Sequence, residues 1–507
     1  MPLFEVPQRA TKNDDKNLAK KSKSAQKKTS IRGGNSLLGK ISEITALVEK
    51  NLGKYKDEYV VITTGEELQK YVDKCVKNNV VAIDTETTGL DPILDKIVGI
   101  CLYTPDMPAA YVPINHVSYV TGLRIENQLS EKQVLPYLEP LKDLDNIMFN
   151  AKFDIRFLRN QVGLYIDCTW DAYLASRLLN ENEPHKGLKA LHKKYVLRDK
   201  EDAFSFDELF KGVSFDKIPI NVGYLYAAHD AIITYELYQF QKKYLDLNSD
   251  REDMRSMAWV FHNIEMPCVK VVCDMEDRGV DFDLDYAHEL SIKYNKLLEE
   301  KKNNFYTICD EYSARIEEYR KRNPNCKLDT PINIGSASQI ATLLYDVLKV
   351  EQVDQKQPRG TGVQILQKID LPITKAILEY REVTKLLGTY IDKLPNCVNE
   401  KTGRIHCSFN QYGADTGRFS SSDPNLQNIP SHNKDIRKMF VATNEEKLVS
   451  TDTQQFEVDR WCEVECADEW KYADKIVVGD ELLLDDGSCV NVVNVDVQQN
   501  VVIIEVT

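Results

Sequence analysis

Asp84 and Glu86 close an apolar run in the stretch Val-Ala-Ile-Asp-Thr-Glu-Thr-Thr-Gly-Leu of residues 81–90. In an extended strand, side chains at i and i+2 leave the same face, so these two carboxylates converge on one point. Oxygen ligands of this kind suit Mg²⁺ or Mn²⁺. A pair of such ions roughly 3.5–4 Å apart can activate a water and stabilise a leaving oxygen, which is the chemistry of phosphodiester cleavage. Asp-x-Glu alone is also what an exposed acidic strand end looks like, so the weight falls on the acids that follow. The run Ile147-Met-Phe-Asn-Ala-Lys-Phe-Asp154 reads as a second apolar strand leading to a carboxylate. On a helix, Tyr226 and Asp230 in Tyr-Ala-Ala-His-Asp are spaced i and i+4 and share one face, with His229 reading as a helix-surface residue.

The elements that must position these residues follow from periodicity. Tyr59–Thr63 reads as a strand, Glu66–Lys77 as a helix and Val80–Asp84 as the strand of the first acidic pair. Strand and helix alternate up to about Tyr244, which indicates an α/β domain. Ahead of it, Arg9–Arg32 is rich in Lys, Ser, Gln and Asn and reads as a flexible basic arm, a solvated tail with contact to nucleic-acid phosphates as the alternative. Gly34-Asn-Ser-Leu-Leu-Gly-Lys40 nearly spells a phosphate-binding loop, but Ile41 stands where Ser or Thr is required and no buried strand precedes it. Ile41–Leu52 is instead a short amphipathic helix. From Met254 the pattern turns helical, with long charged amphipathic stretches at Tyr286–Tyr306 and Ala376–Leu387. Beyond them, Thr416–Pro430 is a loop dense in Ser, Asn, Gln and Gly around Arg418, able to donate many hydrogen bonds to phosphates, sugars and minor-groove acceptors. Cys462–Thr507 changes character again: rich in Val and Ile, with turns at Gly479-Asp480 and Asp486-Gly487 and the alternation Asn491–Val497, it reads as a small antiparallel β unit.

Composition bounds the possibilities. A chain of 507 residues holds roughly two to four domains, and 42% hydrophobic with 28% charged residues describes a soluble globular protein. Neither an apolar run long enough to cross a bilayer nor an apolar signal core in Met1–Lys50 is visible, so no membrane partner and a cytoplasmic location are expected. The twelve cysteines suggest neither a disulfide framework nor a zinc site. A net charge of −14 argues against a protein that coats nucleic acid non-specifically, but local basic surfaces and bound metals can still handle a polyanion, so global charge decides little.

Three motifs in series, Asp84-x-Glu86, Asn150-x-Lys-x-Asp154 and Tyr226-x-x-x-Asp230, resemble the DEDD family of 3′-5′ exonucleases in its tyrosine-bearing branch, over roughly Lys56–Tyr244. The resemblance implies an α/β ribonuclease H-like fold, two metal ions held by Asp84, Glu86, Asp154 and Asp230, and an attacking water oriented by Tyr226. It also implies that Asn150 and Leu90 contact the terminal nucleotide of DNA.

A second resemblance lies downstream. Met275–Asp281, Asn333–Gln339, Tyr380-Arg-Glu, Lys385–Tyr390 and above all Thr416–Pro430 are similar to the thumb and early palm of family A DNA polymerases, the bacterial polymerase I type. This implies primer-template minor-groove contacts from Arg418, Asn425 and Gln427, a first polymerase metal ligand at Asp452, and Glu457 as the residue that blocks a ribose 2′-hydroxyl. Thr453 and Asp459 depart from the family's pattern, and neither its fingers helix nor its second palm carboxylate appears. The final segment resembles the N-terminal part of an intein, the self-splicing Hint fold, through Trp470-Lys-Tyr-Ala-Asp-Lys-Ile-Val-Val-Gly-Asp480. Its nucleophile would be Cys462, with Cys466 as the alternative, because the first splicing step moves an acyl group onto a thiol.

The expected order is therefore a flexible arm and short helix (1–55), the exonuclease domain (56–245), a mainly helical thumb with a partial palm (246–461), and a small all-β Hint-like segment (462–507). The function expected is that of the N-terminal half of a split, phage-like DNA polymerase with a proofreading exonuclease, in a bacterial host cytoplasm. Its partners would be DNA and a C-terminal half that carries the other intein fragment. The alternative is a stand-alone 3′-5′ exonuclease with a polymerase-like DNA-binding platform and a β interaction domain.

Overall fold

The computed structural model describes residues 36–180, 187–198, 209–210, 212–245, 256–413, 417–430 and 433–442, together with the backbone of strands 454–459, 463–465, 470–472, 481–483, 489–498 and 501–506. The basic arm Arg9–Arg32 and residues Thr416, Asp452, Cys462 and Cys466 lie outside the described residues. The chain divides into two compact units, Met1–Met439 and Phe440–Thr507.

A mixed six-stranded sheet organises the first unit. Its strands are β1 (Tyr59–Val61), β2 (Val80–Thr87), β3 (Ile97–Tyr103), β4 (Ala109–Pro113), β5 (Asp145–Met148) and β6 (Trp170–Asp171), in the order β1-β4-β3-β2-β5-β6. β2 runs antiparallel to β3 and parallel to β5. The period of two along the strands splits the core. Val81, Ile83, Ile100, Leu102, Ala110 and Val112 pack into one cluster, and Val98, Cys101, Ala109 and Tyr111 into another. Both faces are thus covered, as the α/β pattern requires.

The helices start where their caps dictate. α1 (Leu37–Leu52) begins four residues before the helix expected from periodicity, because Ser36 accepts a hydrogen bond from the Gly39 N–H at 3.2 Å. This places Leu37–Lys40 of the phosphate-loop look-alike in a helix. α2 (Gly65–Asn78) opens on a capping box in which Thr64 and Glu67 satisfy each other's backbone donors. α3 (Glu131–Leu138) precedes β5, α4 (Ala151–Phe157) follows it, and α5 (Ala172–Leu179) follows β6. α6 (Leu188–Tyr195) packs on the long α7 (Ile220–Leu245), which in turn crosses β1 to β5. Gln241 anchors α7: its Nε2 donates to the Ala172 carbonyl and Ser176 Oγ, both at 2.7 Å, and its Oε1 accepts from the Trp170 indole at 3.1 Å.

α8 (Met266–Arg278) leads out of this domain into β7 (Val280–Phe282). The expected long amphipathic helices are present as α9 (Leu284–Glu311) and α10 (Pro372–Leu386). They enclose a third core around Phe305, Ile316, Ile340, Leu344, Ile373 and Ile377. β8 (Arg404–Ile405) pairs with β7, and β9 (Ser408–Asn410) forms an antiparallel pair with β10 (Ser420–Ser422). In the second unit, an antiparallel sheet runs in the order Gln454–Asp459, Val501–Val506, Cys489–Gln498, Glu481–Leu483, with Glu463–Glu465 paired to Trp470–Tyr472 beside it in sequence. These described strands pair antiparallel. Gln454–Asp459, which carries Glu457 ahead of the expected boundary at residue 462, pairs with Val501–Val506 beyond it.

Candidate active site

The first acidic pair sits inside β2 rather than at its end, since the strand continues to Thr87. Asp84 faces Cys101 and Glu86 faces Gly99 across the β2–β3 pairing, so both carboxylates project from the face that α7 covers. β5 stops pairing with β2 at Ala82, which leaves the far side of residues 84–86 without a strand neighbour. Gly99 is required here for space. A Cβ on it would lie 2.3 Å from the hydroxyl of the fully buried Tyr111, which is held by His116 Nε2 at 2.6 Å.

Asp154 takes over the missing strand edge. Its Oδ1 accepts from the Thr85 backbone N–H at 2.9 Å and from Thr85 Oγ1 at 2.6 Å. The expectation of a strand running up to Asp154 needs correction: β5 ends at Met148, and Asp154 is on α4. The chain turns between them because Asn150 adopts a left-handed conformation at φ 61°. That turn is fixed by Asp171, whose buried carboxylate accepts from the backbone N–H groups of Asn150 (2.9 Å), Ala151 (2.8 Å) and Tyr173 (2.8 Å). The motif Thr-Trp-Asp-Ala-Tyr gave no sign of this role, because an N-cap Asp reads the same whether or not it also captures a second helix.

α7 brings in the third motif. Tyr226 and Asp230 are both buried, and Asp84, Glu86 and Asp230 present oxygens that all lie within 4.8 Å of one another. Asp154 stands outside that trio of oxygens but close enough that its charge is the largest ionic influence on Asp84. Asp230 pairs with Lys189 of α6 at 2.6 Å, and the Lys189 ammonium lies 3.8 Å from the centre of the Tyr226 ring. Sequence reasoning passed over Lys189, one lysine among several in a basic helix. His229 is not a plain surface residue. It is half-buried, its Nδ1 lies 2.8 Å from the Tyr59 hydroxyl, and its ring stacks on Tyr55 with centroids 5.3 Å apart, fastening α7 to β1.

Electrostatics follow from four acids sharing one half-buried to buried place. Burial, then the neighbouring carboxylates Asp154, Asp230 and Glu86, hold the Asp84 carboxyl well above its ordinary range. Burial and Asp230 do the same to Glu86. Burial pushes Asp154 up to about 7 against the pull of its two Thr85 hydrogen bonds, and it raises Asp230 against the pull of Lys189. Such a cluster at neutral pH favours either protons or added positive charge. The residues fit a divalent cation on a further ground: the oxygens of Asp84, Glu86 and Asp230 converge within 4.8 Å, with Lys189 the cation paired to Asp230. All-oxygen donors on rigid elements are what Mg²⁺ or Mn²⁺ takes.

The DNA-contact candidates sit on two loops. Leu90 is exposed in the loop after β2, where Asp91 Oδ1 accepts from the Ile93 N–H and Asp95 Oδ2 from the Asp91 N–H, both at 2.9 Å. Arg418, Asn425 and Gln427 are exposed around β10. Ser421 shapes that loop, its Oγ accepting from the Leu426 N–H at 3.1 Å and the Gln427 N–H at 3.2 Å. Tyr390 adds a hydrogen bond from its hydroxyl to the Asn428 carbonyl at 2.5 Å. Glu457 lies on a described strand, and Asp452 lies outside the described residues.

Two family models match the chain. Residues 59–246 match the model described as 3′-5′ exonuclease, and residues 302–462 match DNA polymerase family A. Over these two segments the chain is thus similar to a 3′-5′ exonuclease domain and to DNA polymerase family A, the pairing found in polymerase I-like proteins. Among its relatives is DNA polymerase I of Chloroflexus aurantiacus, 30% identical over 401 residues, which cover 74% of this chain and 38% of that protein. DNA polymerase I of Pseudomonas aeruginosa is 32% identical over 420 residues, covering 79% and 42%. The chain spans about two-fifths of the length of these relatives. Among solved structures, the POL domain of Pol1 from M. smegmatis, in complex with DNA primer-template and dNTP, shares the fold with a TM-score of 0.56 at 20% identity, covering 79% of this chain and 60% of that one. Among the described residues, no helix is long and apolar enough to cross a membrane.

Proposed function

We propose that this chain is a metal-dependent 3′-5′ exonuclease that removes nucleotides from DNA 3′ ends and serves a family A polymerase as its proofreading half. The observation that carries the reading is the meeting of Asp84 and Glu86 from β2 with Asp230 from α7, within 4.8 Å, beside Asp154. In this reading the four carboxylates hold two ions, Mg²⁺ or Mn²⁺. When bound, the ions supply a Lewis acid and a water of lowered pKa. The chain's own residues do the rest. β2 and α7 fix the acids, Tyr226 orients the attacking water, and Leu90 and Asn150 contact the terminal nucleotide. The test is degradation of 3′-labelled single-stranded DNA by the full chain with Mg²⁺. Asp84→Ala should lose several kcal/mol of transition-state stabilisation, about a thousandfold in rate. An inert wild type, or an Asp84→Ala variant as active as wild type, overturns the proposal.

The polymerase-like region completes this reading. Arg418, Asn425 and Gln427 contact the primer-template minor groove, Asp452 is a polymerase metal ligand, and Glu457 selects deoxynucleotides. Polymerisation requires a C-terminal half, joined by trans-splicing that starts at Cys462 or, as the alternative, Cys466. This is supported by the Trp470–Asp480 resemblance and by the antiparallel character of Glu481–Leu483, Cys489–Gln498 and Val501–Val506. Mixing with a candidate C-terminal half should yield one longer chain, and Cys462→Ala should prevent it. A mixture that never ligates favours the stand-alone exonuclease.

A further inference from the structure

Lys189 is the one basic side chain that reaches the carboxylate cluster at ion-pair distance among the described residues. Its Nζ donates to Asp230 Oδ2 at 2.6 Å and stands 2.6 Å from Oδ1. The ammonium also rests 3.8 Å from the centre of the Tyr226 ring, a cation–π contact with the residue proposed to orient the water. This placement is built into the fold. α6 is docked on α7 through the buried Leu188 and Leu191, and His192 Nε2 lies 2.6 Å from the Glu236 carboxylate. Lys189 is therefore delivered to Asp230 by helix pairing.

A divalent cation drawn to Asp84, Glu86 and Asp230 needs oxygens of the same carboxylate, and it repels an ammonium already against them. The tether gives Lys189 a high effective concentration at Asp230 that no free cation in solution shares. We propose that Lys189 is a positioning residue that holds Asp230 and Tyr226 in place and yields Asp230 to a divalent cation, so that it sets how much metal the site requires. This rests on the carboxylate-site reading above.

The test is Mn²⁺ binding by calorimetry to the full chain at pH 8 without DNA. Lys189→Met and Lys189→Gln should each bind Mn²⁺ about tenfold more tightly than wild type. Lys189→Arg, which keeps the charge, should stay within about threefold of wild type. The Mg²⁺ concentration for half-maximal DNA degradation should fall in the same two neutral variants. Circular dichroism checks that each is folded, and two neutral side chains guard against one that is not. Neutral variants that bind Mn²⁺ as wild type does, or more weakly, overturn this inference alone. If wild type and every variant, Asp230→Asn included, bind no Mn²⁺, the carboxylate-site reading falls with it.

Discussion

Asp154 should make the metal-free protein less stable as the pH rises, and Asp154→Asn should relieve this. The folded protein raises this carboxyl from 3.8 to about 7. Between these values the folded chain holds a proton that the unfolded chain has released, so stability falls as pH rises through the window and levels off above it. Some three pH units at about 1.4 kcal/mol each give an upper bound of about 4 kcal/mol lost locally by pH 8. Asparagine keeps an oxygen for the Thr85 N–H and Oγ1, which both bond Asp154 Oδ1, and it removes the titrating charge. The assay is hydrogen exchange of the β2 amides in chelator, corrected for the intrinsic rate, from pH 5 to 8. Wild type should lose protection from pH 5 to about 7 and level off towards pH 8, and the variant should lose less and exceed wild type at pH 8. Saturating Mn²⁺ should restore wild type at pH 8, because added positive charge replaces the proton. A wild type whose β2 gains protection between pH 5 and 8 in chelator would refute the reasoning, because a charge-starved cluster cannot behave so.

Two further outcomes test the rest of the chain. Glu276 is buried on α8 and accepts Lys152 Nζ at 2.7 Å, Arg156 Nη1 at 2.6 Å and the Phe409 N–H at 2.6 Å, so Glu276→Ala strands the backbone donor and leaves Arg156 with Asp277 Oδ1 and Lys152 with Ser408 Oγ. It should destabilise the first unit by about 1–3 kcal/mol in denaturant melting, and a loss below about 0.5 kcal/mol would show that the Phe409 N–H finds another acceptor. At the exposed β9–β10 region, Arg418→Ala should weaken binding of primer-template duplex with little change in its log–log salt slope, as a minor-groove contact requires. A slope flattened by about one unit would show a phosphate contact instead.

What the sequence made legible was whatever depends on local period. Asp84 and Glu86 share a face because a strand alternates, and Tyr226 and Asp230 because a helix turns every 3.6 residues, so both pairs were readable before any fold was known. α9 and α10 announced themselves by amphipathic stripes. The misread elements depend on contacts between distant segments. The apolar run Ile147–Phe149 looked like a strand reaching Asp154 because nothing local shows that Asp171, some twenty residues on, pulls Asn150 and Ala151 into a turn. His229 looked like surface because its partners, Tyr55 and Tyr59, come from the first strand of the sheet and the turn before it. Lys189 and Glu276 were silent for the same reason: a charged residue in a charged helix acquires a role only from what docks against it.

Asp154, Asp171 and Glu276 share one physical task. A strand that outruns its neighbour exposes backbone donors that cannot be left buried and unpaired. β2 outruns β5 beyond Ala82, and the Thr85 N–H is satisfied by Asp154 instead of by a strand. The Asn150 and Ala151 N–H groups at the following turn go to Asp171, and the Phe409 N–H goes to Glu276. Each time a carboxylate does what a strand would otherwise do. The site gains from this, because ending the pairing early is what leaves room for acids beside residues 84–86. It follows that the position of Asp154 is part of the sheet's own hydrogen-bond satisfaction and does not wait for a metal. Replacing Asp154 by leucine should then cost structure as well as chemistry, whereas asparagine separates the two.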